Sequence, residues 1–139
     1  MYLALFLIDL GIMGGLYYFL YQRKKVMGLS LGMNLAMSMS LFFSLFLAFV
    51  LMEKFPSNYV QIVCLTTLLS MLVGGLFGGL KDEQTILIGL AHGIVMGLMA
   101  PMAAGISIYD REIFFIIQIL FLATIISLIF EKKRWRKIA

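Results

Sequence analysis

The side chains best able to do chemistry in this chain are few, and they lie in apolar surroundings. The only histidine, His92, falls within the segment 89–102, GLAHGIVMGLMAPM, and is followed by Met96, Met99 and Met102. At about 100° per residue on a helix, His92, Met96 and Met99 come within roughly 60° of one another. Gly89, Gly93, Gly97, Ala100 and Ala104 form a neighbouring stripe within about 80°. The first stripe presents an imidazole and thioethers, and the second lets another helix approach closely. Met33 and Met37 add two more thioethers from an earlier apolar run. Thioethers are soft donors that favour Cu(I), and imidazole also suits copper. His92, Met96, Met99, Met33 and Met37 are therefore the candidate metal ligands, with Cu(I) as the expected ion. Mg²⁺ and Ca²⁺ would want oxygen, and zinc more His, Cys or carboxylate. A b-type haem held by His and Met is also compatible with one imidazole. The competing reading is packing, because Met fills irregular gaps between helices.

Asp9 is a carboxylate within an apolar run. Such a residue costs about 2.5–3.5 kcal/mol to insert at mid-membrane, faces the bundle interior as a rule, and marks an ion or proton path. Asn34 is its candidate partner, so the two are expected to handle a proton or charge. The structural alternative is a hydrogen bond from Asn34, His92 or a tyrosine. The glycine runs at 74–79 and 89–97 lack the lysine of a phosphate loop. Serines are frequent at 30–44, but no motif surrounds a nucleophile, and the only histidine lies in another run. The chain is not expected to be an enzyme.

These residues sit in a sequence that is 63% hydrophobic and 13% charged, with mean hydropathy +1.04. A soluble domain is nearer half apolar and a quarter charged. Five runs have the roughly 20 residues that a membrane span requires: 2–21, 26–52, 59–80, 85–108 and 113–130. They lack the short alternating pattern of barrel strands. The expected fold is an all-α integral membrane protein, one domain over 1–139, built as a five-helix bundle. The first run has no basic leader and no small-residue cleavage site, so it reads as a span and not as a signal peptide. With the N-terminus outside and the C-terminus inside, nine of the 11 Lys/Arg fall on inner segments, and only Lys54 and Arg111 on outer ones. The basic segment 132–137 then anchors topology and attracts anionic lipid. The bilayer is the expected surrounding, nucleic acid is not an expected partner, and a bacterial cytoplasmic membrane is the expected location. Pro101 should kink the fourth span. Cys64, the single cysteine, is expected to be a buried thiol.

Small residues predict which faces meet. Gly74, Gly75, Gly78 and Gly79 in the third span, and Gly89, Gly93 and Gly97 in the fourth, have the spacing of helix contacts. In the second span Ser30, Met33, Met37, Ser40 and Ser44 share a stripe, with Asn34 at its edge. Counted from the inner boundary, Met33, Asn34, Met37, His92 and Met96 lie about two turns in, and Asp9, Met13 and Met71 are expected in or near that layer. The fifth span shows no polar stripe and is expected to face lipid or another subunit. Residues 28–36 and 89–97 share glycine and leucine placement, which suggests a parallel duplication. The pairs Met33/Met37 and Gly75/Gly79 resemble the Met-xxx-Met and Gly-xxx-Gly elements of Ctr-type copper transporters over those residues alone. That family has three spans and a Met-rich outer tail, where this chain has five runs and no such tail, so no role is carried over.

Three functions follow as expectations. The first is transport or binding of a soft metal ion such as Cu(I), in an oligomer joined through glycine faces. The second is a non-catalytic accessory or assembly subunit of a larger membrane complex. The third is a small proton- or solute-coupled carrier built on Asp9.

Overall fold

A computed structural model describes residues 2–22, 29–79, 83–107 and 111–138. Among these the chain forms five α-helices: α1 Tyr2–Gln22, α2 Leu29–Lys54, α3 Tyr59–Gly78, α4 Glu83–Ser107 and α5 Arg111–Ile138. All five are long and apolar enough to cross a membrane. The expected turns at Arg23–Lys25, Lys81–Asp82 and Tyr109–Asp110 lie outside the described residues. α4 continues through Pro101 to Ser107, in line with the run expected over 85–108. One boundary differs from expectation. α5 continues helically past Phe130 to Ile138, so the backbone of the basic segment extends the last span.

The bundle is organised around α2, of whose spanning window 72% is buried against 22–28% for the other four helices. Its sequence explains why. Gly32, Ala36, Ser40, Ser44 and Ala48 recur every fourth residue and are all buried. On the opposite side Phe42, Phe46 and Phe49 are buried. A fourth-residue repeat holds one face of a helix, and a step of two or six residues lands on the far side. α2 therefore meets α3 and α4 through small residues, and α1 and α5 through aromatic ones.

On the small-residue side, α3 and α4 run antiparallel at backbone contact. A Cβ added at Gly74 would strike the Gly89 carbonyl, one at Gly78 the Thr85 carbonyl, one at Gly93 the Ser70 carbonyl, and one at Gly97 the Thr67 backbone. Thr66, Ser70, Gly74 and Gly78 thus oppose Thr85, Gly89, Gly93 and Gly97. Gly75 and Gly79 flank this seam and face the side chains of Leu90 and Ile86. In a bilayer lipid is as apolar as leucine, so helices associate through close packing and interhelical hydrogen bonds. Glycine permits the first by removing the side chain that would hold the backbones apart. α2 joins in parallel with α4: the Ala36 Cβ would lie 3.3 Å from a Cβ at Gly89, and the Met52 methyl 3.2 Å from one at Gly105.

On the aromatic side, Phe114 and Phe121 of α5 are both fully buried. Their rings sit edge-on to Phe46, with centroids 5.7 and 5.4 Å away. Phe42 stacks near Phe46 at 6.3 Å and meets Phe121 edge-on at 5.2 Å. Phe6 of α1 packs on Phe43 at 6.0 Å. These geometries are the ones that ring quadrupoles favour. α5 is thus not wholly lipid-facing. Phe114, Phe121, Ile125 and Leu128 form a buried stripe, while Ile119 remains 66% exposed on its outer face.

Candidate functional site

Two polar constellations lie within the spans. The first centres on Ser40, at the middle of the small-residue seam. Its backbone carbonyl accepts a hydrogen bond from the Ser70 hydroxyl at 3.2 Å. Its own hydroxyl donates to the Met37 carbonyl at 3.0 Å, and His92 Nδ1 lies 3.1 Å from the same oxygen. One serine therefore ties α2, α3 and α4 together at one level. A hydroxyl has a single hydrogen. When it goes to Met37, Nδ1 donates to Ser40 and the second ring nitrogen, Nε2, keeps its lone pair; the other tautomer reverses the Ser40–His92 bond. Fixing one imidazole nitrogen so that the other can act is the usual arrangement around a ligating or proton-handling histidine.

The structure places the other expected ligands unevenly around His92. Met96, one turn further along α4, is half-buried, as is Met33 on α2. Met37 shares the level of His92 through Ser40, but its side chain is 38% exposed. Met99 is 57% exposed and Met102 59%, both on the outer surface of the bundle. Met13, by contrast, is buried in the core that α1 makes with α2. Among the described residues no three His, Cys, Asp or Glu gather into a metal-binding group, so a soft-ion site here would rest on one imidazole and thioethers. Cys64 is exposed on α3, in place of the buried thiol expected.

The second constellation is Asp9 of α1 with Gln118 of α5. Asp9 is 1% exposed, and the Gln118 amide nitrogen donates to its Oδ1 at 2.7 Å. The carboxylate partner is thus Gln118; Asn34 lies exposed on α2. Asp9 Oδ2 and Gln118 Oε1 are both buried without a hydrogen-bond partner. The sequence signal for this pair is weak because Gln118 shares no helix face with Thr124 and Ser127, the other polar residues of the fifth span, which therefore shows no polar stripe. Compared with the apolar residues at 114, 121, 125 and 128, Gln118 falls on the inward stripe. No protein-family model, curated protein or solved structure matches the chain.

Elsewhere, an apolar groove of about 260 Å³ lies between α1, α2 and α3, beside Leu10, Met13 and Gly14. Its lining suits hydrocarbon and offers little to a charged solute. α1 also carries Gly11, Gly14 and Gly15, and a Cβ at any of these would meet nothing within 4 Å. They contrast with the glycines of α3 and α4, which are filled by a neighbouring helix.

Proposed function

We propose that this chain is a non-catalytic membrane subunit that works by helix association, inserted with its N-terminus outside and C-terminus inside in a bacterial cytoplasmic membrane. The observation that carries this reading is the open small-residue face of α1. Gly11 and Gly15 are spaced as in a Gly-xxx-Gly contact within an apolar helix, the pattern that lets two membrane helices cross closely. The same feature within α3 and α4 is already occupied. Supporting this, three polar contacts inside the bundle run between its own helices: Ser40 with His92, Ser70 with Ser40, and Gln118 with Asp9. A second copy of the chain is the simplest occupant of the α1 face, and a helix of a larger complex is the other.

The test uses the free space at these positions. A Cβ at Gly11 or Gly15 meets nothing within 4 Å and both residues are exposed, so leucine at the two positions should leave the fold and its thermal stability unchanged. A photo-crosslinker at Ile8, which is 57% exposed on α1, should give an adduct of discrete mass in native membranes. That adduct should be lost in the Gly11→Leu, Gly15→Leu variant. No discrete adduct from the unsubstituted chain, or one indifferent to the two leucines, rejects the reading.

A soft-metal reading is favoured by one observation, the contact of His92 Nδ1 with Ser40, which leaves Nε2 as the ring nitrogen able to ligate, one turn before Met96 on α4. In this reading His92 and Met96 hold Cu(I), with Met33, Met37 and Met99 completing the set where a neighbouring subunit covers the exposed thioethers. Titration of the purified chain with Cu(I) under reducing conditions should show one bound equivalent. Affinity should fall at least about tenfold, the equivalent of 1.4 kcal/mol, in His92→Ala with Met96→Ala. Equal binding by the variant, or none by either protein, removes the metal reading.

A further inference from the structure

We propose that Asp9 and Gln118 form a proton-binding site, in which a proton on Asp9 Oδ2 is donated to Gln118 Oε1 and closes a cyclic acid–amide pair between α1 and α5. The geometry already contains half of that ring, the 2.7 Å bond from Gln118 Nε2 to Asp9 Oδ1. The other half is represented by two buried acceptor atoms without partners, one from each residue. Only one further buried side-chain atom among the described residues shares that condition, Thr66 Oγ1 on α3. Two acceptors on two residues already bonded to each other have one simple common remedy, a hydrogen between them. A protonated carboxyl supplies it, since it has one donor where the ionised form has none.

The surroundings favour the neutral form. Asp9 is 1% exposed. No other charged side chain opposes it: α2 has no Asp, Glu, Lys, Arg or His between Leu29 and Met52, and α5 has none between Ile113 and Phe130. Along α1 the titratable residues nearest in sequence are Tyr2 and Tyr17, about two turns away on either side. His92 is engaged by Ser40 on the small-residue side of α2. A buried charge without a counter-charge is costly in hydrocarbon, and a metal ion would need several more oxygens than this pair provides. On proton loss H⁺ passes to water, Oδ2 and Oε1 are left as two acceptors, and one hydrogen bond between α1 and α5 remains. This site does not depend on the association reading above, because neither residue lies on the glycine face of α1.

Infrared spectroscopy of the full chain in lipid vesicles at neutral pH tests the proposal. The chain should show the carbonyl band of a protonated carboxylic acid, and ¹³C-aspartate labelling should shift it. Asp9→Asn should abolish it, while the asparagine still pairs with Gln118. The variant Asp82→Asn, Asp110→Asn leaves Asp9 as the sole aspartate and should keep the band, which supplies the answer if Asp9→Asn does not fold. Raising the pH until the proton leaves should remove the band. Absence of the band at neutral pH, its insensitivity to the aspartate label, or its loss in the Asp82→Asn, Asp110→Asn variant would overturn the assignment.

Discussion

Replacing Gly89 by valine is expected to destabilise the bundle by about 3 kcal/mol or more, at the upper end of what overpacking costs. A Cβ at Gly89 would fall on the Gly74 carbonyl oxygen, 2.6 Å from its carbon and 3.3 Å from the Ala36 methyl. The obstructing atoms are backbone, so no side-chain rotation relieves the clash, and one helix must move. Moving α4 from α3 also strains the contacts at Gly78, Gly93 and Gly97, since all belong to one rigid pair of helices. It further stretches the 3.1 Å contact between His92 on α4 and Ser40 on α2. Gly75→Ala is the matched control. Its new methyl would lie 2.9 Å from the tip of Leu90, and the end of a leucine can turn aside, so the expected cost is about 1 kcal/mol or less. Reversible unfolding in mixed detergent micelles should order the three proteins as wild type, then Gly75→Ala, then Gly89→Val. A Gly89→Val protein as stable as wild type would mean that α3 and α4 do not meet at this register.

Much of this architecture was legible because the bilayer imposes simple rules. Runs of about 20 apolar residues can span only as helices, and the five helices observed begin and end within a few residues of the runs at 2–21, 26–52, 59–80, 85–108 and 113–130, except that α5 runs on to Ile138. The glycines at 74, 78, 89, 93 and 97 were visible as a contact pattern because only a missing side chain allows backbone contact. What they contact was not visible, because spacing fixes a face and not its partner. The role of α2 was obscured by its serines and methionines. Reading Met33, Met37, Ser40 and Ser44 as one polar stripe hid the smaller-volume stripe at 32, 36, 40, 44 and 48, although volume rather than polarity decides close approach between membrane helices. The same bias toward polarity made α5 look featureless, when Phe114, Phe121, Ile125 and Leu128 are its buried face. Asp9 was recognisable as costly, but its partner lies 109 residues away on α5. No local pattern encodes a pairing of that range.

The pairing of Asp9 with Gln118 should appear as strong non-additivity in stability. Gln118→Leu removes the 2.7 Å bond and leaves a buried carboxyl group with no partner, an expected cost of about 1–3 kcal/mol. Asp9→Leu leaves the Gln118 amide buried with both its donor and its acceptor unmet, at a similar cost. The double variant Asp9→Leu, Gln118→Leu buries two apolar side chains in their place and leaves no polar group behind. Such replacement of a buried polar pair is often neutral or better, so the double variant should be close to wild type. The cycle should then give a coupling of about 2–6 kcal/mol, the sum of the two single costs, at or above the upper end of what residues in direct contact usually show. The effect should concentrate on α1 and α5, which otherwise pack chiefly on α2 and not on each other. Hydrogen exchange should accordingly show faster opening of these two helices in either single variant, with α3 and α4 unaffected behind their glycine seam. Additive single effects would show that the two side chains contribute separately, and a double variant less stable than both singles would show that the bundle needs the polar pair for more than mutual satisfaction.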